Sequence, residues 1–249
     1  MNTGKRIVVT GASSGIGAAT VHKLTDQGAH VIAVARRAER LEQVAAATGA
    51  TAVVADLSTD DGVAHLAERV AGRGGLDVLI NNAGGARGAD AIEHGQVAQW
   101  EEMYQINVLT TLRTTQALLP ALRQDGGGDV VVLTSTAAHD TYPGGGGYVA
   151  AKHAQRIIAN TLRLELVGEP IRVIEIAPGM VRTEEFALRR LGDAEAAEQV
   201  YAGVAQPLLA EDVAEAIAWT VGLPRHVNID SLTMRPVAQA SNTVVHREP

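Results

Sequence analysis

The chain has 249 residues, 46% of them hydrophobic and 20% charged, so it can bury a core and is not a disordered polypeptide. Its formal net charge of −7 and its aromatic complement of 2 Trp, 4 Tyr and 1 Phe argue against a phosphate-backbone binder or a base-stacking platform. There is no cysteine, which excludes disulfides, thiolate metal sites, iron–sulfur clusters and thiol nucleophiles.

No stretch reaches the ~18 consecutive apolar residues of a membrane span. Met1 to Arg6 leads directly into Ile7-Val8-Val9 and a glycine turn, too short for a signal-peptide apolar region. The expectation is a cytoplasmic protein with neither a membrane nor a nucleic-acid partner.

The first strand is expected over Arg6–Thr10, followed by Thr10-Gly11-Ala12-Ser13-Ser14-Gly15-Ile16-Gly17 and a helix over 15–27. Glycines allow a tight turn and close approach to a pyrophosphate, and a helix start offers free N–H groups and a favourable dipole. Taken alone, the G-x3-G-x-G turn fits either a dinucleotide site or a plain strand-to-helix connection. A second strand over His30–Ala35 ends in Val34-Ala35-Arg36-Arg37, about 20 residues past the glycines, where a ribose-reading residue belongs. An acidic residue there would bond a ribose 2′-OH. Two arginines suit a 2′-phosphate instead, with Arg36 the favoured reader and a solvated helix start as the alternative.

A helix over 37–47, a strand over 51–55, a helix over 60–72 and a strand over 77–80 follow. A long helical pattern over 97–123 contains Asn107, a position where a polar residue normally points to water. The fifth strand, 129–134, is closed by Ser135, either a turn former or a hydroxyl placed to hold a substrate oxygen. Residues 144–147 are four glycines, which read as a mobile loop or a close backbone approach.

The helix over 148–167 opens with Tyr148-Val149-Ala150-Ala151-Lys152, placing Tyr148 and Lys152 on one face at i, i+4. An ammonium near a phenol favours the phenolate and makes tyrosine useful as a general acid/base. With 4 tyrosines and only Lys5, Lys23 and Lys152 in the chain, about 0.05 such pairs are expected by chance. A strand over 171–176, a helix over 211–221 and a weaker strand over Ser231–Met234 complete the rhythm. The stretch 184–206 interrupts it as a helical insertion that could act as a lid. Continuous apolar strands alternating with helices give an α/β, doubly wound parallel sheet of about seven strands with helices on both faces. No linker or composition shift marks a second domain, so 1–249 reads as one domain.

The set formed by the Thr10–Gly17 turn, Asn81-Asn82-Ala83-Gly84, Asn107, Ser135, Tyr148 with Lys152, and Pro178-Gly179 resembles the short-chain dehydrogenase/reductase family over nearly the whole chain. The resemblance implies a Rossmann-like fold, NAD(P)-dependent oxidation of a hydroxyl or reduction of its carbonyl, and a homotetramer or homodimer. By that likeness Tyr148 moves the proton, Ser135 orients the substrate oxygen, Lys152 holds the nicotinamide ribose and tunes Tyr148, and Asn107 anchors a proton relay. Gly11, Ser13, Ser14, Gly15, Ile16 and Gly17 would surround the pyrophosphate, and Asp56 and Leu57 the adenine. Asn82, Ala83 and Gly84 would lie along the cofactor, with Asn82 also bracing strands, and Pro178, Gly179, Val181 and Thr183 would meet the nicotinamide. Together with Arg36 and Arg37 the expected cofactor is NADP(H), and the expected partner is a small alcohol or carbonyl substrate.

The tail segments Leu223-Pro224-Arg225-His226-Val227-Asn228-Ile229-Asp230 and Met234-Arg235-Pro236-Val237-Ala238-Gln239 are similar to those of NADP-dependent 3-hydroxy acid (serine or allo-threonine) dehydrogenases. Aldehyde reductases of the clavulanate type carry a related tail. Arg182, Arg189 and Arg190 either meet a substrate carboxylate or form a solvated helix face. None of the 8 histidines has metal-ligand spacing, His139 and His153 read as loop and helix-surface residues, and no metal is expected. Ser135 is not in a G-x-S-x-G elbow and the glycine turn lacks the Gly-Lys-Ser/Thr of a P-loop. The rival from another class is a non-catalytic NADP-binding regulator on the same fold.

Overall fold

The computed structural model describes residues 2–124 and 126–248. Its elements in chain order begin with β1 (Arg6–Thr10), α1 (Gly15–Asp26), β2 (His30–Ala35), α2 (Ala38–Thr48), β3 (Thr51–Val54), α3 (Asp60–Ala71) and β4 (Val78–Asn81). They continue with α4 (Val97–Tyr104), α5 (Thr110–Gln124), β5 (Asp129–Leu133), α6 (Gly146–Glu165), β6 (Arg172–Pro178) and β7 (Val181–Arg182). The last are α7 (Phe186–Leu191), α8 (Ala194–Gln199), β8 (Leu208–Leu209), α9 (Ala210–Gly222) and β9 (Ser231–Met234).

Seven of these strands pair in parallel in the order β3-β2-β1-β4-β5-β6-β9. The continuous Val/Ile/Leu runs arise because both faces of this sheet are covered, and alternate residues point to opposite faces. Ile7 and Val9 pack with Leu24 of α1, Leu41 of α2 and Ile217 of α9, whereas Val8 between them packs with Leu66 of α3, Leu118 of α5 and Ala159 of α6. A slip of one residue would exchange the two sets, so the pairing of Val8 with Ile32 and Leu79 is set by both layers together.

Two features depart from the sequence expectation. The long helix is not continuous α-helix. Residues Gln105–Leu109 form a π turn between α4 and α5, with Asn107 at its centre. The insertion expected at 184–206 is anchored at both ends, because β7 before it pairs with β8 after it. Within it α7 stops at Gly192, whose φ of 71° suits glycine. Ala187, Ala197 and Tyr201 make a small apolar cluster of its own.

At the amino ends of β5 and β6, Arg172 and Asp129 form a buried two-point ion pair, Nε to Oδ1 at 2.7 Å and Nη2 to Oδ2 at 2.6 Å. Arg172 also donates to the carbonyls of Val221 and Val227, fastening the end of α9 and the loop after it to the sheet. Removing one partner would strand the other charge in the interior. Arg172→Met is therefore expected to lower stability by about 3–5 kcal/mol, read in urea unfolding as a lower midpoint at unchanged slope.

Candidate active site

The sheet reverses its winding between β1 and β4, and in open α/β folds a crevice forms outside the carboxyl ends of the strands at such a point. Side-chain bonds hold it open. Asn82 donates from Nδ2 to the carbonyls of Thr10 at 2.8 Å and Gly11 at 3.3 Å. The Thr10 hydroxyl accepts the backbone N–H groups of Asn82 at 3.0 Å and Ala83 at 2.9 Å. The glycines of the turn are required by space: a Cβ on Gly17 would lie 2.3 Å from the Gly11 carbonyl oxygen, and one on Gly11 would lie 2.9 Å from Ala83 Cα.

Ser14 precedes α1 without capping it, so its side chain leaves the first-turn N–H groups to an anion. It turns instead to the Arg37 guanidinium, which donates to Ser14 Oγ at 2.8 Å and Ser13 Oγ at 3.0 Å. Of the two arginines, Arg37 is thus tied to the turn, while Arg36 is largely exposed with its guanidinium 4.0 Å from Asp56. Glu185, at the start of the insertion, brings a carboxylate to Arg37, Arg40, Arg189 and Ser14. Burial pushes the Glu185 carboxyl up, but the Arg37 and Ser14 hydrogen bonds and the Arg189 charge outweigh it and hold the group below its ordinary value.

A cavity of about 620 Å³ runs from this cluster to the start of α6. Every residue expected from the sequence to meet cofactor or substrate lines it except Asn107. Glu185, Tyr142, Phe186, Arg189, Arg190 and Asn242 also line it. Phe186, Glu185 and Asn242 carried no sequence signal, since single residues in an insertion and a tail are located only by the fold.

At the far end lie the phenol and the ammonium. The four-glycine run resolves as close approach: a Cβ on Gly145 would lie 2.5 Å from the Tyr142 ring, and one on Gly147 would lie 2.4 Å from Met103 Cε. Trp100, Met103 and Tyr142 therefore press against the first turn of α6 and place Tyr148. Lys152, one turn on and buried, has Nζ 5.8 Å from the Tyr148 ring centroid and donates to the Leu133 carbonyl at 3.0 Å and Gln155 Oε1 at 2.7 Å. Phe186 packs edge-on against Tyr148 at 5.8 Å between centroids. Burial raises the Tyr148 phenol well above the ordinary tyrosine range; the neighbouring Tyr142 adds to the rise, while a Ser135 hydrogen bond and the Arg190 charge oppose it. Burial brings the Lys152 ammonium down to about 7, with Glu175 opposing. Ser135 Oγ accepts the Ala137 N–H at 3.2 Å, so Ser135 both caps its turn and faces the cavity.

Asn107 does not point to water. Its side chain is fully buried, donating to the carbonyls of Met103 at 2.8 Å and Gly85 at 2.9 Å and accepting the Gly85 N–H at 3.1 Å. The bond to Met103 uses the acceptor four residues back that the next α-turn would need, which is consistent with the π turn at this position. The Asn107 carbonyl accepts from Thr111 Oγ1 at 2.7 Å, and that hydroxyl accepts from Gln155 Nε2 at 2.8 Å. Asn107 is thereby joined to Lys152 through Thr111 and the fully buried Gln155, two residues the sequence did not single out.

The arginines of β7 and α7 divide. Arg182 is exposed and pairs with Glu198 at 2.8 Å, and Arg189 is exposed and pairs with Glu185 at 2.8 Å. Arg190 is not the solvated residue expected of such a helix. Partly buried, it donates from Nε to the Gly88 carbonyl at 3.2 Å, from Nη1 to the Tyr142 hydroxyl at 3.2 Å and from Nη2 to the Gly144 carbonyl at 3.1 Å. His139 is partly buried, with Nε2 3.0 Å from the buried Glu175 carboxylate.

Residues 5–193 match the family model described as short chain dehydrogenase. The chain is 51% identical over 242 residues to an uncharacterized oxidoreductase of Mycobacterium tuberculosis, covering 97% of this chain and 95% of that one. It is 36% identical to the NADP-dependent 3-hydroxy acid dehydrogenase of Escherichia coli, covering 97% and 99%. A solved closed form of a serine dehydrogenase complexed with NADP+ superposes with a TM-score of 0.90 at 35% identity, covering 98% of this chain and all of that one. With this sheet order, this crevice and a match over most of its length, the chain belongs to the short-chain dehydrogenase family.

Proposed function

We propose that the protein is an NADP(H)-dependent oxidoreductase that interconverts a secondary alcohol of the 3-hydroxy acid class and its carbonyl compound, with Tyr148 as general acid and base. One observation carries this reading: a buried phenol and ammonium stand one helical turn apart, beside a serine hydroxyl, at one end of a cavity whose other end is a glycine cradle flanked by arginines. The cradle fits a dinucleotide. Its glycines leave no room for a Cβ at Gly11 or Gly17, and the first turn of α1 is not capped by a side chain. The names of the Escherichia coli relative and of the NADP+-bound neighbour support the choice of cofactor and substrate class.

When bound, the cofactor supplies or takes up the hydride, chemistry that phenol, hydroxyl and ammonium cannot provide. Tyr148 gives its proton to the substrate oxygen in reduction and takes it back in oxidation, and the Ser135 hydroxyl orients that oxygen. Lys152 holds the ribose and favours the phenolate. Asn107, whose carbonyl ends the Lys152–Gln155–Thr111 chain, anchors the route that replenishes the proton. Asp56 and Leu57 border the adenine, and Asn82, Ala83, Gly84, Pro178, Gly179, Val181 and Thr183 line the path to the nicotinamide. The α7–α8 insertion is the lid. Leu112, Ile157 and Leu164 on the outer faces of α5 and α6 are exposed, which supports a homodimer or homotetramer that covers them.

Tyr148→Phe is expected to lower turnover by about 10²–10⁴-fold while leaving NADPH binding, followed by fluorescence, intact. Loss of both together would sink the assignment of Tyr148 to chemistry. Because burial raises the phenol's pKa, the proton donor is loaded at neutral pH and the proton acceptor is scarce. Alcohol oxidation is therefore expected to accelerate as pH rises into the alkaline range, and carbonyl reduction to stay level over the same interval, in kcat/KM profiles of the two directions. Arg36→Asp and Arg37→Asp are each expected to reduce the NADPH-over-NADH preference by about tenfold or more. An unchanged preference in both variants would remove the 2′-phosphate assignment.

A further inference from the structure

Helix α7 presents different chemistry on two faces. Glu185 and Arg189, four apart, turn toward Arg37 and the glycine turn. Phe186 and Arg190, also four apart, turn toward Tyr148 and Tyr142. Of the arginines that line the cavity, Arg36, Arg37, Arg87 and Arg189 each have a carboxylate within 4.0 Å, and among the described residues Arg190 has none.

Arg190 is held firmly. Its guanidinium carbon lies 5.5 Å from the centroid of the Tyr142 ring, and its three bonds go to the carbonyls of Gly88 and Gly144 and the hydroxyl of Tyr142. All three acceptors are neutral. Among the described residues no carboxylate lies within 4.0 Å of it, whereas Arg182 in β7 and Arg189 in α7 each have one. A guanidinium has five N–H donors, so two remain after these bonds. A partly buried cation with no counter-charge is costly unless an anion completes it. The phosphates of the proposed cofactor would fall at the other end of the cavity, where Arg37 is tied to Ser13 and Ser14. The cavity also offers no competing acid near Arg190: Asp56 and Glu185, the acidic residues lining it, are both engaged at the arginine cluster beside the glycine turn.

From this we infer that Arg190 is the specificity-determining anchor for a substrate carboxylate, so that the alcohol handled at Tyr148 and Ser135 belongs to a hydroxy acid whose carboxylate completes the Arg190 charge. The planar fork suits a carboxylate at two points. With the carbinol at Tyr148 and the carboxylate at Arg190, the substrate is held at both ends under Phe186. The choice of substrate rests on the proposed alcohol–carbonyl reaction; the binding of an anion does not.

The test uses NADPH-loaded protein as wild type, Arg190→Met and Arg190→Lys, with unchanged NADPH affinity confirming an intact fold. In the first arm, 3-methylbutanoate and its methyl ester, which cannot react, are titrated by calorimetry. The wild type is expected to favour the acid over the ester by at least about tenfold, Arg190→Met to lose that preference, and Arg190→Lys to keep part of it. In the second arm, with NADP+, Arg190→Met is expected to lower kcat/KM for 3-hydroxybutanoate by about 100-fold while methyl 3-hydroxybutanoate changes little. Equal losses on acid and ester would show that Arg190 only supports the insertion, and a wild type without preference for the acid would overturn the anchor outright. The two readings separate cleanly. Arg190-dependent acid binding without turnover of either alcohol keeps the anchor and removes the proposed reaction. Tyr148-dependent turnover of the ester without acid preference does the reverse.

Discussion

The site depends on the bonding between Thr10 and Asn82 where β1 and β4 part. Both strands end at this point and their chains must diverge, which leaves backbone donors and acceptors that no neighbouring strand can satisfy. Asn82 supplies its amide to the carbonyls of Thr10 and Gly11, and Thr10 supplies its hydroxyl to the amides of Asn82 and Ala83. Because every one of these groups is paired inside the protein, the two turns are locked to one another. Only then can Gly17 and Gly11 approach at distances that admit no side chain.

A second constraint is electrostatic. Titratable groups buried at the far end of the cavity lose solvation, so phenol and ammonium are both pushed toward their neutral forms. The fold offsets this for Lys152 with two neutral acceptors, the Leu133 carbonyl and Gln155, and with the more distant Glu175 charge. At the opposite end charge is dealt with directly, through the ion pairs of Glu185 with Arg37, Arg40 and Arg189. A single short helix, α7, reaches both ends, which ties the arginine cluster and the surroundings of Tyr148 to the same element.

Much of this was legible in the chain. The strands are almost wholly apolar because both faces of a parallel sheet are covered, and their observed limits lie within two residues of the expected ones. Tyr148 and Lys152 were visible because a helix puts residues four apart on one face and lysine is scarce here. Asn107 shows the opposite case. Its position in a helical pattern suggested a solvent-facing side chain, but the loop after β4 packs on that helix and captures the amide through Gly85, and a π turn forms there. The glycine run left a mobile loop and a close approach open, and the rings of Tyr142 and Trp100 decide for close approach.

What the sequence by itself determined is whatever depends on local spacing: alternation of buried strands with amphipathic helices, a phosphate-type turn opening a helix, a basic pair at the end of the second strand, and the Tyr–Lys pair. Tertiary structure alone decided which distant residues complete those motifs. Gln155 and Thr111 reach each other across 44 positions of the chain, and Arg37 and Glu185 across 148. It also separated Arg190 from Arg182 and Arg189, three residues that are alike in sequence. The difference is in their partners, since Arg182 and Arg189 each meet a carboxylate and Arg190 is turned onto a hydroxyl and two carbonyls. No periodicity encodes that distinction, because it arises from packing between segments whose separation along the chain carries no regular spacing.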